Sequence, residues 1–229
     1  MGKQPTTTAK TGGPVGCGEE QDTTQDGHFG AAYSLSDGEE TLAHYRTWAA
    51  SYDQEVGQDN GYAQPARVAD MLARFSDPKS VRVFDAGCGS GLSGVALASA
   101  GVTTIDGCDF SPEMLARAKE KGVYTSLFEA DLNQPLTRIP DASYDIVTAV
   151  GIFSFGHVDP KACEELLRIL KPHGHLIVAL NDPFWQKGDL RAQLEAMIAR
   201  GVATEKAKEF GDHLPGHNVM GWVIALQRS

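Results

Sequence analysis

The stretch Asp85-Ala86-Gly87-Cys88-Gly89-Ser90-Gly91 is where this 229-residue chain shows its chemistry most openly. Alternating glycines let a backbone approach a ligand closely, and a helix starting behind them offers unpaired N–H groups. Gly89, Gly91 and Gly94 also satisfy G-x-G-x-x-G, which taken alone suggests a dinucleotide. Asp85 argues otherwise. A carboxylate two residues before Gly87 repels a pyrophosphate, but it can anchor an ammonium or organise a turn around one. The combination therefore favours a cationic, non-pyrophosphate ligand, and three alternating glycines exceed what a bare tight turn needs. Asp109 stands 18 residues beyond Gly91, near the spacing at which an acid takes a ribose diol. Asp106 lies inside the preceding strand and suits that role less. Ser111, followed by Pro112 and Glu113, reads as a helix N-cap.

The elements that must position these residues follow from periodicity. Leu42, Tyr45, Ala49 and Tyr52 form one helical stripe, and Val68, Met71, Leu72 and Phe75 form a second behind Pro65. Strands are expected at Val81–Asp85, Val102–Cys108, Tyr124–Glu129, Tyr144–Val150 and His175–Leu180. Helices should fill Ser90–Ala100, Pro112–Lys121, 160–170 and roughly 185–200. Strands alternating with helices mean a parallel sheet with right-handed crossovers. The last two strands, Val202–Phe210 and Trp222–Leu226, have no helix between them and must pair as a hairpin. The expected fold is α/β: a seven-stranded, mostly parallel sheet with an antiparallel last strand and helices on both faces. Residues 1–35, rich in Gly and Thr, read as a disordered tail. Residues 36–78 read as a helical cap and 79–229 as the core.

Composition sets the outer bounds. Hydrophobic residues make up 41% and charged residues 22%, as in an ordinary globular chain. The net charge of -10 repels phosphate backbones, which disfavours nucleic acid as a partner. Cys17, Cys88, Cys108 and Cys163 form no Cys-x-x-Cys pair, so reduced thiols and a cytoplasmic setting are expected. No run reaches the ~18 apolar residues a membrane span requires, and no apolar core follows Lys3 to make a secretory signal.

Taken together, the residues resemble the class I S-adenosylmethionine-dependent methyltransferases over about residues 40–229. The resemblance rests on the loop Asp85–Gly91, on Asp109, on Glu129-Ala130-Asp131-Leu132 and on Tyr144-Asp145-Ile146-Val147. It also rests on Leu170-Lys171-Pro172-His173-Gly174-His175, where the family usually has Lys-Pro-Gly-Gly. It implies a Rossmann-like fold and S-adenosylmethionine as cofactor. It further implies that Gly87, Cys88 and Gly89 line the methionine moiety, that Asp109 binds the ribose hydroxyls and that Asp131 and Leu132 contact the adenine. Phe110 either lies against the adenine ring or is a core aromatic. Gly151-Ile152-Phe153 faces the sulfonium in that family. A finer resemblance, to the Williams–Beuren-syndrome-region group, lies in Tyr45-Arg46-Thr47-Trp48-Ala49-Ala50-Ser51-Tyr52-Asp53. Arg46 replaces that group's first acid. Tyr52 and Trp48 either cover the cofactor or pack an aromatic stripe on the sheet.

The acceptor is narrowed by exclusion. Nucleic-acid amino methylation, on the family resemblance, needs an Asn/Asp-Pro-Pro-aromatic clamp after the fourth strand, where this chain has Gly151-Ile152-Phe153-Ser154. Asn181-Asp182-Pro183-Phe184 follows the fifth strand instead and reads as a strand end with Asp182 capping the next helix. No cysteine follows a proline, as cytosine ring methylation would require. A small-molecule methyl acceptor is left. His157, beyond the fourth strand, is the first candidate for acid/base or polar contact; His213 and His217 are placed in the loop between the final strands. Phe153, Phe155, Phe184 and Trp185 could wall the substrate site, or simply pack the core. No histidine pair has metal spacing, so no metal is expected. Two rivals remain: a cofactor-binding partner without acceptor chemistry of its own, and a nicotinamide-dependent oxidoreductase. Asp85 and the helix-free terminal hairpin speak against the second.

Overall fold

A computed structural model describes residues 53–55, 60–154 and 158–229. Within them, the sequence periodicities become α1 (Gln64–Phe75), β1 (Arg82–Ala86), α2 (Leu92–Ser99), β2 (Thr104–Asp109), α3 (Pro112–Glu120), β3 (Ser126–Glu129) and β4 (Tyr144–Val150). They continue with α4 (Ala162–Ile169), β5 (Leu170–Asn181), α5 (Asp182–Lys187), α6 (Asp189–Ala199), β6 (Ala203–Leu214) and β7 (Val219–Arg228). The seven strands make one sheet in the order β3-β2-β1-β4-β5-β7-β6. Strands β1 to β5 pair in parallel, and β7 runs antiparallel between β5 and β6. This is the expected seven-stranded sheet. The order reverses at β1, whose neighbours are β2 and β4. In open α/β sheets ligands bind beyond the carboxyl ends of the strands at such a switch point.

Both faces of the sheet are covered, so the central strands read as nearly continuous apolar runs. Phe84, Val147, Leu176 and Val178 point to one face and pack with Cys163, Leu166 and Met197. Val83, Ile105, Ile146 and Ile177 point to the other and pack with Leu97 and with Val68, Met71 and Leu72 of α1. Helix α1 thus covers a face of the sheet directly. Phe75, at its end, stacks on His175 with ring centroids 4.7 Å apart.

Boundaries differ from expectation where side-chain signals misled. The helix expected at 185–200 is two helices, because Gly188 adopts a left-handed φ of 93° between α5 and α6. Asn181, not Asp182, caps α5: its Oδ1 accepts from the Phe184 N–H at 2.8 Å. Strand β5 begins at Leu170 rather than His175, since Leu170 pairs with Tyr144 before a register shift. His173 in that shift takes a φ of 65°. Strand β6 extends to Leu214, which pairs with Val219, so His213 lies in a strand instead of a loop.

The end of β1 is fixed by a buried carboxylate. Asp85 is fully buried and shares the face of Val83. Thr148 on β4 and Gly107 on β2 are its in-register neighbours. Thr148 supplies a hydroxyl at 2.9 Å to Oδ1. Gly107 leaves a gap that the Tyr124 ring fills, since a Cβ there would stand 3.0 Å from Tyr124 Cε1. Tyr124 then donates to Asp85 Oδ2 at 2.7 Å, beside Ser93 Oγ at 2.6 Å. Burial pushes the Asp85 carboxyl above its usual range, and the three hydroxyls pull it back down. The Tyr124 hydroxyl also accepts from the Gly94 N–H at 3.1 Å.

Gly94 is therefore required by Tyr124, because a Cβ at position 94 would overlap the phenol ring. In an open helix Gly→Ala gains about 1 kcal/mol, whereas overpacking a filled site costs about 1–3 kcal/mol. Gly94→Ala should lower the denaturant midpoint. In the Tyr124→Ala background the same change should cost little, a non-additivity that a double-mutant cycle measures.

Candidate cofactor and acceptor site

The loop after β1 uses its three glycines for three different reasons. All have positive φ: 65° at Gly87, 54° at Gly89 and 93° at Gly91. A Cβ on Gly87 would collide with Ile152, and one on Gly91 would press on the Ala118 backbone of α3 at 3.0 Å. A Cβ on Gly89 would meet none of the described residues within 4 Å. Gly87 and Gly91 thus admit neighbouring protein, while Gly89 faces space that no described residue fills. The turn is held by Cys88 N–H to Cys108 C=O and Gly91 N–H to Cys88 C=O, both 2.9 Å. Cys88 is buried, and burial followed by the Asp85 charge pushes its thiol well above the usual range. It is a neutral wall and no nucleophile.

Asp109 closes the loop from the end of β2. Its Oδ2 accepts from the Gly89 N–H and its Oδ1 from the Ser111 N–H, each at 2.9 Å. Burial raises its carboxyl, and the N–H groups of Ser111, Gly89 and Phe110 oppose the rise. A carboxylate has about four lone-pair positions, so each oxygen keeps capacity for one hydroxyl of a diol. Phe110 next to it is 42% exposed, which fits a ring offered to a ligand better than a core aromatic. Asp106, by contrast, is consumed by Arg82 at 2.6 Å and the Tyr144 hydroxyl at 3.0 Å.

The other residues expected to meet the cofactor gather at the same strand ends. Asp109 C=O accepts from the Ala130 N–H at 3.0 Å, which brings Asp131 and Leu132 to the edge of the crevice. Asp131 Oδ1 accepts from the Asn133 N–H at 2.8 Å, forming a tight turn. Leu132 is buried and lies beside Gly87. Gly151, with a φ of 75°, continues β4, and its N–H reaches Ala179 C=O at 2.8 Å. Asp85 is present but turned inward: of the two roles open to it, its hydroxyl partners support organising the turn. Asp53 completes the loop from the amino-terminal side, bonded to Ser90 Oγ and paired with Lys121. Its one sequence signal was its place directly after Tyr52. Open space at Gly89, a carboxylate with unused acceptor capacity and an exposed ring fit an adenosyl group with a methionine tail.

The expected substrate residues divide. Phe153 is fully buried within the core cluster that includes Cys163 and Leu166, and presents no open face. Trp185 is also buried, 5.7 Å from the Trp222 ring, with Lys208 Nζ 4.3 Å from its centroid. His213 is brought beside Tyr62, ring centroids 5.2 Å apart and nearly perpendicular. A Cβ on Gly151 would stand 2.5 Å from the Tyr62 hydroxyl, so Tyr62 links His213 to the Gly151 segment after β4. Tyr52, Phe155 and His157 lie outside the described residues. Among the described residues no cluster of His, Cys, Asp and Glu could hold a metal, and no helix is long and apolar enough to cross a membrane.

Comparison with known proteins agrees with this geometry. A family model described as a methyltransferase domain matches residues 84–178. Human methyltransferase-like protein 27 is 34% identical over 146 residues, covering 63% of this chain and 59% of that protein. Less than two thirds of that relative's length is therefore spanned. The phosphatidylethanolamine N-methyltransferase of Cereibacter sphaeroides is 32% identical over 160 residues, covering 68% of this chain and 74% of that protein. The crystal structure of an S-adenosylmethionine-dependent methyltransferase from Mesorhizobium loti shares the fold, with a TM-score of 0.57 and 18% identity over 71% of this chain and 98% of that one. Fold, family model and relatives converge: the chain belongs to the class I methyltransferases, whose cofactor is S-adenosylmethionine.

Proposed function

We propose that this protein transfers a methyl group from S-adenosylmethionine to an oxygen, nitrogen or sulfur nucleophile of a small molecule. The observation that carries the reading is the pairing of Gly89 with Asp109. One backbone N–H ties the open glycine to the acid, so the methionine and ribose ends of one ligand would be read by a single rigid unit. When bound, the cofactor supplies an electrophilic methyl on a sulfonium. The chain's own work is positioning. Asp109 would hold the ribose hydroxyls, Phe110 and Leu132 would flank the adenine, and Gly87, Cys88 and Gly89 would line the methionine tail. In-line displacement gains mostly from such orientation.

An acceptor that must lose a proton needs a base, and His157, on the segment beyond Gly151, is our candidate. The net charge of -10 favours a small acceptor over nucleic acid. The name of the Cereibacter relative supports a lipid amine as one acceptor type for that protein. A cytoplasmic location belongs to the same reading, supported by Cys88, Cys108 and Cys163, which are free thiols.

Calorimetric titration with S-adenosylhomocysteine tests the cofactor site. Asp109→Ala should weaken binding by about tenfold or more, equivalent to about 1.4 kcal/mol, with ligand-free melting recorded as the control for folding. Unchanged affinity would remove Asp109 from the site. His157→Ala should lower turnover of any acceptor found in a methylation screen while leaving cofactor affinity alone, and a fully active variant would dismiss the base. Tight binding with no methylated acceptor in the screen would favour a cofactor-binding partner over an enzyme.

A further inference from the structure

A trio on the acceptor side is not used by the mechanism above: the half-buried Tyr62 and the buried Gln64 and His213. Gln64 is fully buried at the start of α1. Its Nε2 lies 3.3 Å from the Leu180 C=O and 3.0 Å from His213 Nδ1. A main-chain carbonyl can only accept, so the amide nitrogen must face it; the flipped amide would set two acceptors together. The second N–H of the same nitrogen is then directed at His213 Nδ1, which must accept it. In a neutral imidazole whose Nδ1 accepts, the proton sits on Nε2.

The surroundings keep that arrangement. His213 is buried, and burial together with the Arg67 guanidinium pushes its pKa down to about 4, so the ring is neutral at pH 7. Gly221 makes the room, since a Cβ there would stand 2.5 Å from Gln64 Nε2 and 3.0 Å from His213 Cβ. Gln64 Oε1 is left buried with no hydrogen-bond partner among the described residues. An orphaned buried acceptor keeps its desolvation cost uncompensated, so the amide is held by its two N–H contacts alone among the described residues. Tyr62, edge-on to the imidazole and against Gly151, places the pair next to the reacting end of the site.

We propose that Gln64 locks His213 as a neutral Nε2–H donor, so that the acceptor side recognises a hydrogen-bond-accepting oxygen on the substrate and does not use His213 as a base. This deepens the methyltransferase reading and rests on it. The substrate class that follows is a molecule carrying a carbonyl or comparable oxygen close to its nucleophile. A desolvated donor of this kind discriminates strongly against an analogue that lacks the oxygen. His213 is then a specificity-determining residue, and Gln64 a positioning residue acting through it.

Nitrogen-15 spectra of histidine-labelled full-length protein, saturated with S-adenosylhomocysteine at pH 7, read the tautomer directly. The expected His213 signal is the neutral Nε2–H form. Gln64→Leu should release it into a tautomer mixture while S-adenosylhomocysteine affinity is unchanged. Acetophenone, a flat carbonyl probe, should move the His213 Nε2–H resonance, and ethylbenzene, which lacks the oxygen, should leave it in place. A ring protonated on Nδ1 in the wild-type protein, or equal shifts from both probes, would overturn the proposal while cofactor binding persists. Failure of the wild-type protein to bind S-adenosylhomocysteine would instead remove the methyltransferase reading beneath it. The wild-type spectrum needs no variant to fold.

Discussion

Everything about the site follows from one buried carboxylate. Asp85 has no exposure to water, and an ion in that position would be untenable without donors. Three hydroxyls meet it, each from a different element: Ser93 from α2, Thr148 from β4 and Tyr124 from the approach to β3. Satisfying this one group therefore fixes how the first strand, the first crossover helix and the third strand sit together. The glycine loop lies between two of those anchors, so its course is set before any ligand arrives. Preorganisation of this kind is what a positioning catalyst requires.

The same cluster reassigns the glycines. Gly94 completes a dinucleotide-like spacing in the sequence, yet its missing side chain makes room for the Tyr124 ring. Gly87 and Gly91 accommodate Ile152 and α3, whereas no described residue fills the space at Gly89. A loop can thus look like a phosphate cradle by composition while being shaped by its protein neighbours. Asp109 then accepts one backbone N–H from Gly89, which couples the loop to the end of β2. Asp53 adds a second tie, joining Ser90 of the loop to Lys121 of α3.

Motif residues were legible because their chemistry is local. Alternating glycines, a strand-end acid and an acid about one crossover later are recognisable at short range, and the structure gathers them at the β1–β4 switch point. The alternation of strands and helices was legible for the same reason, since apolar runs buried on both faces alternate with amphipathic stretches. The acceptor side was not. Phe153 and Trp185 have the composition of a pocket wall, and packing buries both. His213 read as a loop residue because the expected strand ended at Phe210, whereas β6 continues to Leu214 by pairing with β7. Gln64 and Tyr62 carry no motif at all.

What the sequence determined by itself is the class: an acidic chain, an α/β sheet whose terminal hairpin has no α-helix between its strands, and a loop suited to a cationic, non-pyrophosphate ligand. Those features depend on residue type and spacing within a few turns of chain. Tertiary structure alone decided that Asp85 organises the loop, that Tyr124 dictates Gly94, and that Gln64 meets His213 from 149 residues away. The physical reason is that hydrogen-bond satisfaction is non-local. A buried donor or acceptor must find a partner wherever the fold brings one, and no spacing rule within the chain records which residue that will be.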